Sequence, residues 1–325
     1  MAVTLMDLSQ IETDLLRKSV IDTFLMESNL LEIVPWETIG QLSTTVVKIS
    51  ELPSVGFRKI NAAYSESTGK FSQTSETISL LGGDIDTDKA LARAKNTIAD
   101  ARAIMQTLML KSIAYKFNDK FINGNPASDP EEFKGIKRRI DDIAVEYPTQ
   151  KIQATDVDTG INYDTASRHK FLNDLDKVIY SIKGHKPDVL LMNQKTLLAM
   201  RALLRQEKLL DSTRDMFDRQ IDMYAGARLI DIGVKEDQIT DIITNTETTA
   251  GVADGTGECT SIYAVKFGIG ELTWGIQEYP IEVEDLGQLQ TAPKYRTRVD
   301  WPLGLATIDP RSVCRLYGVV PDSSA

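Results

Sequence analysis

The sequence predicts an α+β protein, and three observations predict this class. A period-two strand pattern begins at Leu42, a long helical stripe runs from Leu91 to Tyr115, and helix and strand patterns alternate from Ala166 onward. The alternation is mixed and lacks a regular strand–helix repeat, which favours α+β over α/β. The chain has 325 residues, 42% hydrophobic and 26% charged, so its composition is ordinary for a globular protein.

The N-terminal residues predict an arm. Residues 9–28 carry a helical stripe of apolar side chains, and Ser9 with Glu12 forms a capping-box start. The stretch from Asn29 to Trp36 is predicted to be extended, because a residue before proline is disfavoured in the helical region. The sequence has no basic segment followed by an apolar run at its start and no apolar run near the ~20 residues that span a bilayer. We therefore expect a soluble, cytosolic protein.

A two-stranded hairpin follows the arm. One strand pattern runs from Leu42 to Ser50, and a second runs from Gln73 to Leu81 and is closed by two glycines. The stretch between them is polar and rich in serine and threonine. An isolated ribbon of two strands is marginal in water, and structureless loops beyond about 15 residues are uncommon in compact domains. The pattern therefore predicts an extended hairpin that lies on a neighbouring subunit.

Three acidic residues, Asp84, Asp86 and Asp88, precede the long helical stripe. A calcium loop is excluded, because Lys89 and Lys95 occupy the positions where that loop needs glycine and glutamate. We predict that the acids lie at the start of the next helix, where negative charge complements the helix dipole.

The long helix is predicted from about Asp88 to Phe121. Its apolar positions alternate spacings of three and four, so it would be roughly 50 Å long at about 1.5 Å per residue. The alanines and Ser112 in the stripe favour packing along a sheet over a coiled coil. Asn123 and Gly124 supply the stop signal.

The rest of the chain alternates helices and strands, with no internal repeat. The predicted helices span residues 166–182 and 196–210, and the predicted strands span 187–192, 224–233, 261–268, 272–283, 295–301 and 304–320. A loop rich in threonine and glycine is predicted over residues 244–260.

Few residues suggest chemistry. The two histidines, His169 and His185, are predicted at a solvated helix face and in a turn, and the two cysteines, Cys259 and Cys314, are predicted to be reduced. The sequence has no zinc-protease, serine-hydrolase or phosphate-loop motif. A catalytic site, a cofactor and a metal are therefore not expected.

The charge distribution also argues against one class of function. A formal net charge of −10 disfavours indiscriminate coating of nucleic acid, because phosphate neutralisation needs clustered lysine and arginine. The most basic segment, Lys137 to Arg139, is predicted to be an exposed helical face that pairs with acids of an adjoining subunit.

The order of the segments resembles a known family. The arm, hairpin and long helix are followed by an Asn-Gly-Asn-Pro…Phe-Lys-Gly-Ile junction at residues 123–136, then by Pro-Asp-Val-Leu-Leu-Met-Asn-Gln at 187–194, Gly-Ala-Arg-Leu-Ile-Asp-Ile-Gly at 226–233 and Ser-Ile-Tyr-Ala-Val-Lys-Phe-Gly at 261–268. No single motif is specific, but the order is similar to that of HK97-type major capsid proteins of tailed bacteriophages over nearly the whole chain.

The resemblance implies an HK97-like capsid fold with five segments. They are an N-terminal arm at 1–38, an E-loop at 39–84, a spine helix with the start of the peripheral (P) domain at 85–145, an axial (A) domain at 146–270, and closing strands shared between the P and A domains at 271–325.

The resemblance also implies a function. Such proteins form hexamers and pentamers that close an icosahedral virion capsid around double-stranded DNA, assembled in the host cytoplasm without a membrane. A separate scaffolding protein and a portal are implied as partners. Lysine-to-asparagine crosslinks occur in some relatives, but no motif supports them here. The implied inter-subunit contacts are represented by Trp36, Val46, Lys59, Lys70, Lys137, Arg138 and Arg139.

Two alternatives remain at this point. An encapsulin, a cellular shell around a cargo enzyme, has the same fold, and the contents of the particle would discriminate it. A soluble α/β enzyme is weakened by the missing motifs and by a hairpin that has nothing to fold on in a monomer.

Overall fold

A computed structural model describes residues 4, 28–90, 101–155, 160–209, 211–214, 220–247 and 259–321. The helix predicted over residues 9–28 therefore lies outside the described residues apart from its last position, and so do residues 91–100, which were predicted to belong to the long helix. The helices are α1 (Asn29–Ile33), α2 (Ala101–Asn123), α3 (Ile136–Ile143), α4 (Thr165–Ser181) and α5 (Gln194–Gln206). The strands are β1 (Trp36–Thr38), β2 (Ser43–Glu51), β3 (Lys70–Thr77), β4 (Ser79–Asp88), β5 (Lys151–Gln153), β6 (Val189–Met192), β7 (Asp211–Arg214), β8 (Gln220–Tyr224), β9 (Ala227–Asp231), β10 (Thr260–Val265), β11 (Thr273–Gln277), β12 (Glu282–Gln288), β13 (Lys294–Thr307) and β14 (Val313–Val319).

The strands form three sheets. A five-stranded sheet has the order β1-β11-β13-β12, and β4 also pairs with β13. A seven-stranded sheet has the order β5-β14-β10-β6-β9-β8-β7, with parallel pairs at β5–β14 and β6–β9. Strands β2 and β3 form a separate antiparallel hairpin. Mixed sheets beside helices confirm the predicted α+β class.

Helix α2 packs along the five-stranded sheet, as the stripe predicted. A Cβ atom on Gly83 of β4 would come within 2.6 Å of the Met109 side chain, so the helix lies directly on the strand at this glycine. Further along, the ring of Phe117 lies 5.4 Å from that of Trp301, centroid to centroid, and Trp301 lies 4.9 Å from Trp36. These buried aromatic side chains join the helix to the sheet.

Replacing Trp301 with alanine is expected to lower the free energy of unfolding by about 3–5 kcal/mol, because the side chain is fully buried between aromatic neighbours. Urea unfolding followed by circular dichroism measures the change. Tyr163→Ala is the control, since that side chain is 67% exposed and its loss should change the value by less than about 0.5 kcal/mol. Equal losses in both variants would contradict this account of the core.

The predicted position was wrong for two of the three acids. Asp88 lies at the start of a helical turn, as predicted, and its carboxylate accepts a hydrogen bond from the Ala90 amide at 2.7 Å. Strand β4 continues through the two glycines to Asp88, so Asp84 and Asp86 lie in a strand and not at a helix start. Arg298 donates two hydrogen bonds to the Asp84 carboxylate, at 2.8 and 3.0 Å, and Arg296 donates two to the Asp86 carboxylate, at 2.7 and 2.9 Å. These hydrogen bonds lower the pKa of both carboxyl groups below the usual value.

The segment before Trp36 also differs from the prediction. Residues Asn29–Ile33 form the short helix α1, and the Ser28 hydroxyl caps it by accepting a hydrogen bond from the Leu31 amide. Val34 has the extended conformation that the following proline favours, with ψ at 120°, and Trp36 begins strand β1. The proline therefore ends the helix, and its influence does not reach the preceding turn.

Three further boundaries changed. The strand predicted at 224–233 is a hairpin, β8 to β9, whose turn places Ala225 and Gly226 at positive φ. The strand predicted at 272–283 is divided between β11 and β12. The predicted break between strands at residues 301–304 is absent, because β13 runs through it.

The junction after α2 depends on two glycines. The Gly124 amide donates to the Lys120 carbonyl, and the Gly135 amide donates to the Gly124 carbonyl at 2.9 Å. A Cβ on Gly124 would lie 2.4 Å from the Phe133 carbonyl oxygen, and one on Gly135 would lie 2.7 Å from the Gly124 nitrogen. The two backbone segments are in direct contact, which explains why the motif has glycine at both positions.

Candidate assembly surface

The hairpin of β2 and β3 leaves the body of the protein after a short attached base. Burial alternates along the base, with Val46 and Glu76 buried and their sequence neighbours exposed. Residues 51–68 are all exposed. The hairpin therefore touches the body with one face of its base only, as expected for a ribbon without its own core.

The far part of the hairpin presents apolar side chains to solvent. Phe57 is fully exposed, and Val55 and Ile60 are 94% and 93% exposed. The apolar tip consists of Leu52, Val55, Phe57, Ile60, Tyr64 and Phe71. An exposed group of apolar side chains of this kind marks a surface that binds another molecule.

The tip has some internal order. The Ser54 amide donates to the Ser67 hydroxyl at 2.7 Å, which joins the two sides of the loop. The Arg58 guanidinium lies 5.1 Å from the centre of the Tyr64 ring and donates to the Ala62 carbonyl. This stretch was predicted to be polar because serine and threonine are frequent in it, and the apolar residues between them were overlooked.

The base of the hairpin is attached in two ways. Val46 packs against Trp274, Ile276 and Ala306 of the five-stranded sheet in a small apolar cluster. Next to it, the Glu76 carboxylate accepts two hydrogen bonds from Arg139 of α3. Nothing in the sequence indicated Glu76 as a functional residue, because its partner is 63 residues away.

The predicted contact residues divide into two groups. Lys59 and Lys70 are exposed on the hairpin, and Lys70 pairs with Glu51 at 2.6 Å between largely exposed side chains. Trp36 and Val46 are buried in the core of their own chain, at 3% and 4% exposure. Their side chains therefore have no free surface to offer a neighbouring subunit.

The basic segment was predicted to be an exposed helical face, and Arg139 departs from that prediction because its side chain is buried. Arg139 is buried against Glu76, the Lys137 amine lies 3.7 Å from Glu247, and Arg138 lies 3.3 Å from Asp142. An isolated sequence window shows the charges but not the acids that the fold brings to them.

Groups that could carry chemistry are dispersed. Within the described residues, no three acidic, histidine or cysteine side chains are grouped as metal ligands, and no helix is long and apolar enough to cross a bilayer. His169 is largely exposed and His185 lies exposed in a turn, as predicted. Cys259 and Cys314 are buried thiols outside any disulfide, and burial raises the pKa of Cys314 to about 11.

Comparison with known proteins gives one family match and many structural matches. Residues 14–167, just under half of the chain, match the family described as Major capsid protein GP7. No curated protein sequence matches the chain.

The structural matches extend over most of the chain. The SrpI encapsulin of Synechococcus elongatus PCC 7942 is similar with a TM-score of 0.61 and 13% identity, over 90% of this chain and 87% of that one. A chain of Mycobacterium phage Bobi gives a TM-score of 0.59 and 14% identity, over 91% of each chain. A chain from the capsid of a native GTA particle gives 0.58 and 13%, over 90% of each. At these identities the likeness establishes the fold.

Proposed function

We propose that this chain, a major capsid protein with the HK97-type fold, forms the wall of a closed icosahedral shell by laying its hairpin tip on a neighbouring copy. The observation that carries this proposal is the exposed apolar tip on a hairpin attached only at its base. Nine residues of β2 extend about 30 Å at roughly 3.3 Å per residue, which is enough to reach across a subunit boundary.

The energetics fit such an assembly. Burying one side chain of the size of Phe57 or Ile60 contributes about 1.5–3 kcal/mol. Each subunit both supplies a tip and receives one, so the contact repeats around every ring. Such a contact joins two different surfaces, the tip of one copy and the body of the next. Contacts of this kind form closed rings when the rotation between successive copies adds up to a full turn, and hexamers and pentamers are rings of this type.

The proposed division of the chain is arm 1–38, E-loop 39–84, spine helix and start of the P domain 85–145, A domain 146–270, and closing strands 271–325. It is supported by the two large sheets. Strands β11, β12 and β13 belong to the five-stranded sheet with β4, whereas β14 belongs to the seven-stranded sheet. The closing strands are thus shared between the two sheets.

The proposed contact residues are Lys59 and Lys70 on the hairpin and Lys137 and Arg138 on α3. All four have side chains with exposed surface in the isolated chain. Trp36, Val46 and Arg139 are assigned to the interior of the subunit, where they support the hairpin and the arm.

The proposed contents of the shell are double-stranded DNA, held without a specific grip. A chain with a net charge of −10 repels DNA, which is also negatively charged, so the DNA can move inside the shell. A separate scaffolding protein and a portal are proposed as partners during assembly in the host cytoplasm. The role in the wall needs no catalytic residue.

An encapsulin-type shell is the second candidate, favoured by the similarity to the SrpI encapsulin. It predicts a protein cargo in place of a genome. The hypothesis of a viral capsid has the additional support of the family match over residues 14–167.

The proposal is tested by negative-stain electron microscopy and light scattering of the chain expressed alone and with its candidate scaffold. Closed shells or rings are expected. Native particles should then protect DNA from nuclease, whereas a protein cargo without protected DNA would favour the encapsulin. A uniform monomer under all of these conditions would overturn the proposal that the chain forms a shell.

A further inference from the structure

We propose that the buried ion pair between Glu76 and Arg139 fixes the direction in which the hairpin leaves the body, so that Arg139 is a positioning residue for assembly. The inference rests on the proposed function, since it concerns where the apolar tip is held for its neighbour. It adds a determinant that lies far from the tip itself.

The pair is buried and its geometry is directional. Arg139 and Glu76 are 4% and 8% exposed, and the guanidinium donates to both carboxylate oxygens, at 2.6 and 2.9 Å. Two further N–H groups of Arg139 donate to the carbonyls of Lys134 and Leu305. A planar guanidinium held by four hydrogen bonds keeps one orientation, unlike an apolar contact, which tolerates sliding.

The ion pair lies at the base of the hairpin. Glu76 is opposite Thr44 in the register and is the last residue but one of β3, so the chain passes from it directly into β4 of the five-stranded sheet. Arg139 belongs to α3, whose Ile136 and Ile140 are fully buried in the main core. The hairpin is therefore held by a rigid element of the body.

The rest of the attachment is small. Val46 occupies the apolar cluster, and Lys48 is half-buried beside Glu76, where burial lowers the pKa of its amine. Beyond Lys48, residues 51–68 of the hairpin are all exposed. A rotation of about 10° at the base would move a tip about 30 Å away by about 5 Å, which is the spacing of neighbouring strands.

Stability alone does not explain the buried ion pair between Glu76 and Arg139. Replacing a buried ion pair with apolar residues is often neutral or stabilising, so such a pair is weak as a source of stability. At the base of the hairpin, two N–H donors of Arg139 bind two oxygens of Glu76, and this arrangement is well suited to fixing the angle between the hairpin and the body. The proposed role is therefore orientation of the hairpin, beyond any contribution to the fold.

The test measures the position of the tip. Spin labels are placed at Ser65→Cys on the tip and Thr107→Cys on α2, both exposed sites, and the distance distribution is recorded by pulsed electron resonance in unassembled and shell forms. Labelled chains are diluted with unlabelled chains in the shells. The native thiols do not interfere, because both are buried and the pKa of Cys314 is raised.

Two variants disturb the pair in different ways. Glu76→Gln removes the charge at nearly constant size, and Arg139→Lys keeps the charge but loses the planar fork. The matched control is Glu51→Gln, which removes the exposed partner of Lys70 in the same hairpin. Circular dichroism and thermal unfolding identify the temperature range in which every variant is folded.

We expect both pair variants to give distance distributions about twice as broad as the original chain, with the control unchanged. Shell yield should fall by about tenfold, the effect of a change near 1.4 kcal/mol in assembly free energy. Unchanged distances in folded Glu76→Gln and Arg139→Lys would overturn the inference. Failure of the original chain to form shells would instead count against the proposed function, because the distances in the unassembled form test the pair independently.

Discussion

Replacing Phe57 and Ile60 with serine is expected to abolish shell formation while changing the free energy of unfolding of the subunit by less than about 0.5 kcal/mol. Both side chains are almost wholly exposed in the isolated chain, so the fold loses no packing when they are removed. In the proposed shell they are buried against a neighbour, and each would contribute about 1.5–3 kcal/mol to that contact. The loss is repeated at every subunit of a ring, which makes the effect on closure large.

The measurement is the fraction of chain that sediments as shells, with urea unfolding as the check on the subunit. The matched control replaces Val145 and Ile239 with serine, since these aliphatic side chains are 90% and 84% exposed on the body. Shells should form in the control. Normal assembly of the Phe57 and Ile60 variant would show that the tip is not the principal contact.

Local patterns predicted the parts of this fold that depend on one element. The period-two pattern of β2 already placed Val46 on a different face from its neighbours, and the structure buries that face. The stripe of α2 predicted packing on a sheet, which is where the helix lies. The junction glycines were visible as a motif, although the reason for them became clear only from the contact between Gly124 and Gly135.

The same local patterns could not predict ion pairs between residues that are far apart in the sequence. Asp84 lies 214 residues from its partner Arg298, and Glu76 lies 63 residues from Arg139. Acidic residues before a helical stripe satisfy the rule for a helix start equally well, so only the strand pairing of β4 with β13 decides between the two placements. The hairpin pivot was missed for the same reason, since a glutamate in a polar ribbon is unremarkable until its partner is known.

Replacing Gly135 with alanine is expected to lower the free energy of unfolding by about 3 kcal/mol or more. The residue has φ at −77° and ψ at 169°, which alanine adopts freely, so the backbone conformation is not the obstacle. The obstacle is space, because the new methyl group would lie 2.7 Å from the Gly124 nitrogen and from two carbonyl oxygens of the last turn of α2. Backbone atoms cannot rotate aside as a flexible side chain can.

Gly56→Ala is the control, because a Cβ at that position in the hairpin meets nothing within 4 Å. It should leave the free energy of unfolding within about 0.5 kcal/mol of the original value, or raise it slightly by restricting the unfolded chain. Gly135 is also the N-cap residue of α3, the helix that carries Arg139. Moving the junction apart would therefore shift the pivot of the hairpin, and we expect any folded fraction of Gly135→Ala to form fewer shells than its stability predicts. Similar unfolding energies for Gly135→Ala and Gly56→Ala would show that the two backbone segments at the junction are not in contact.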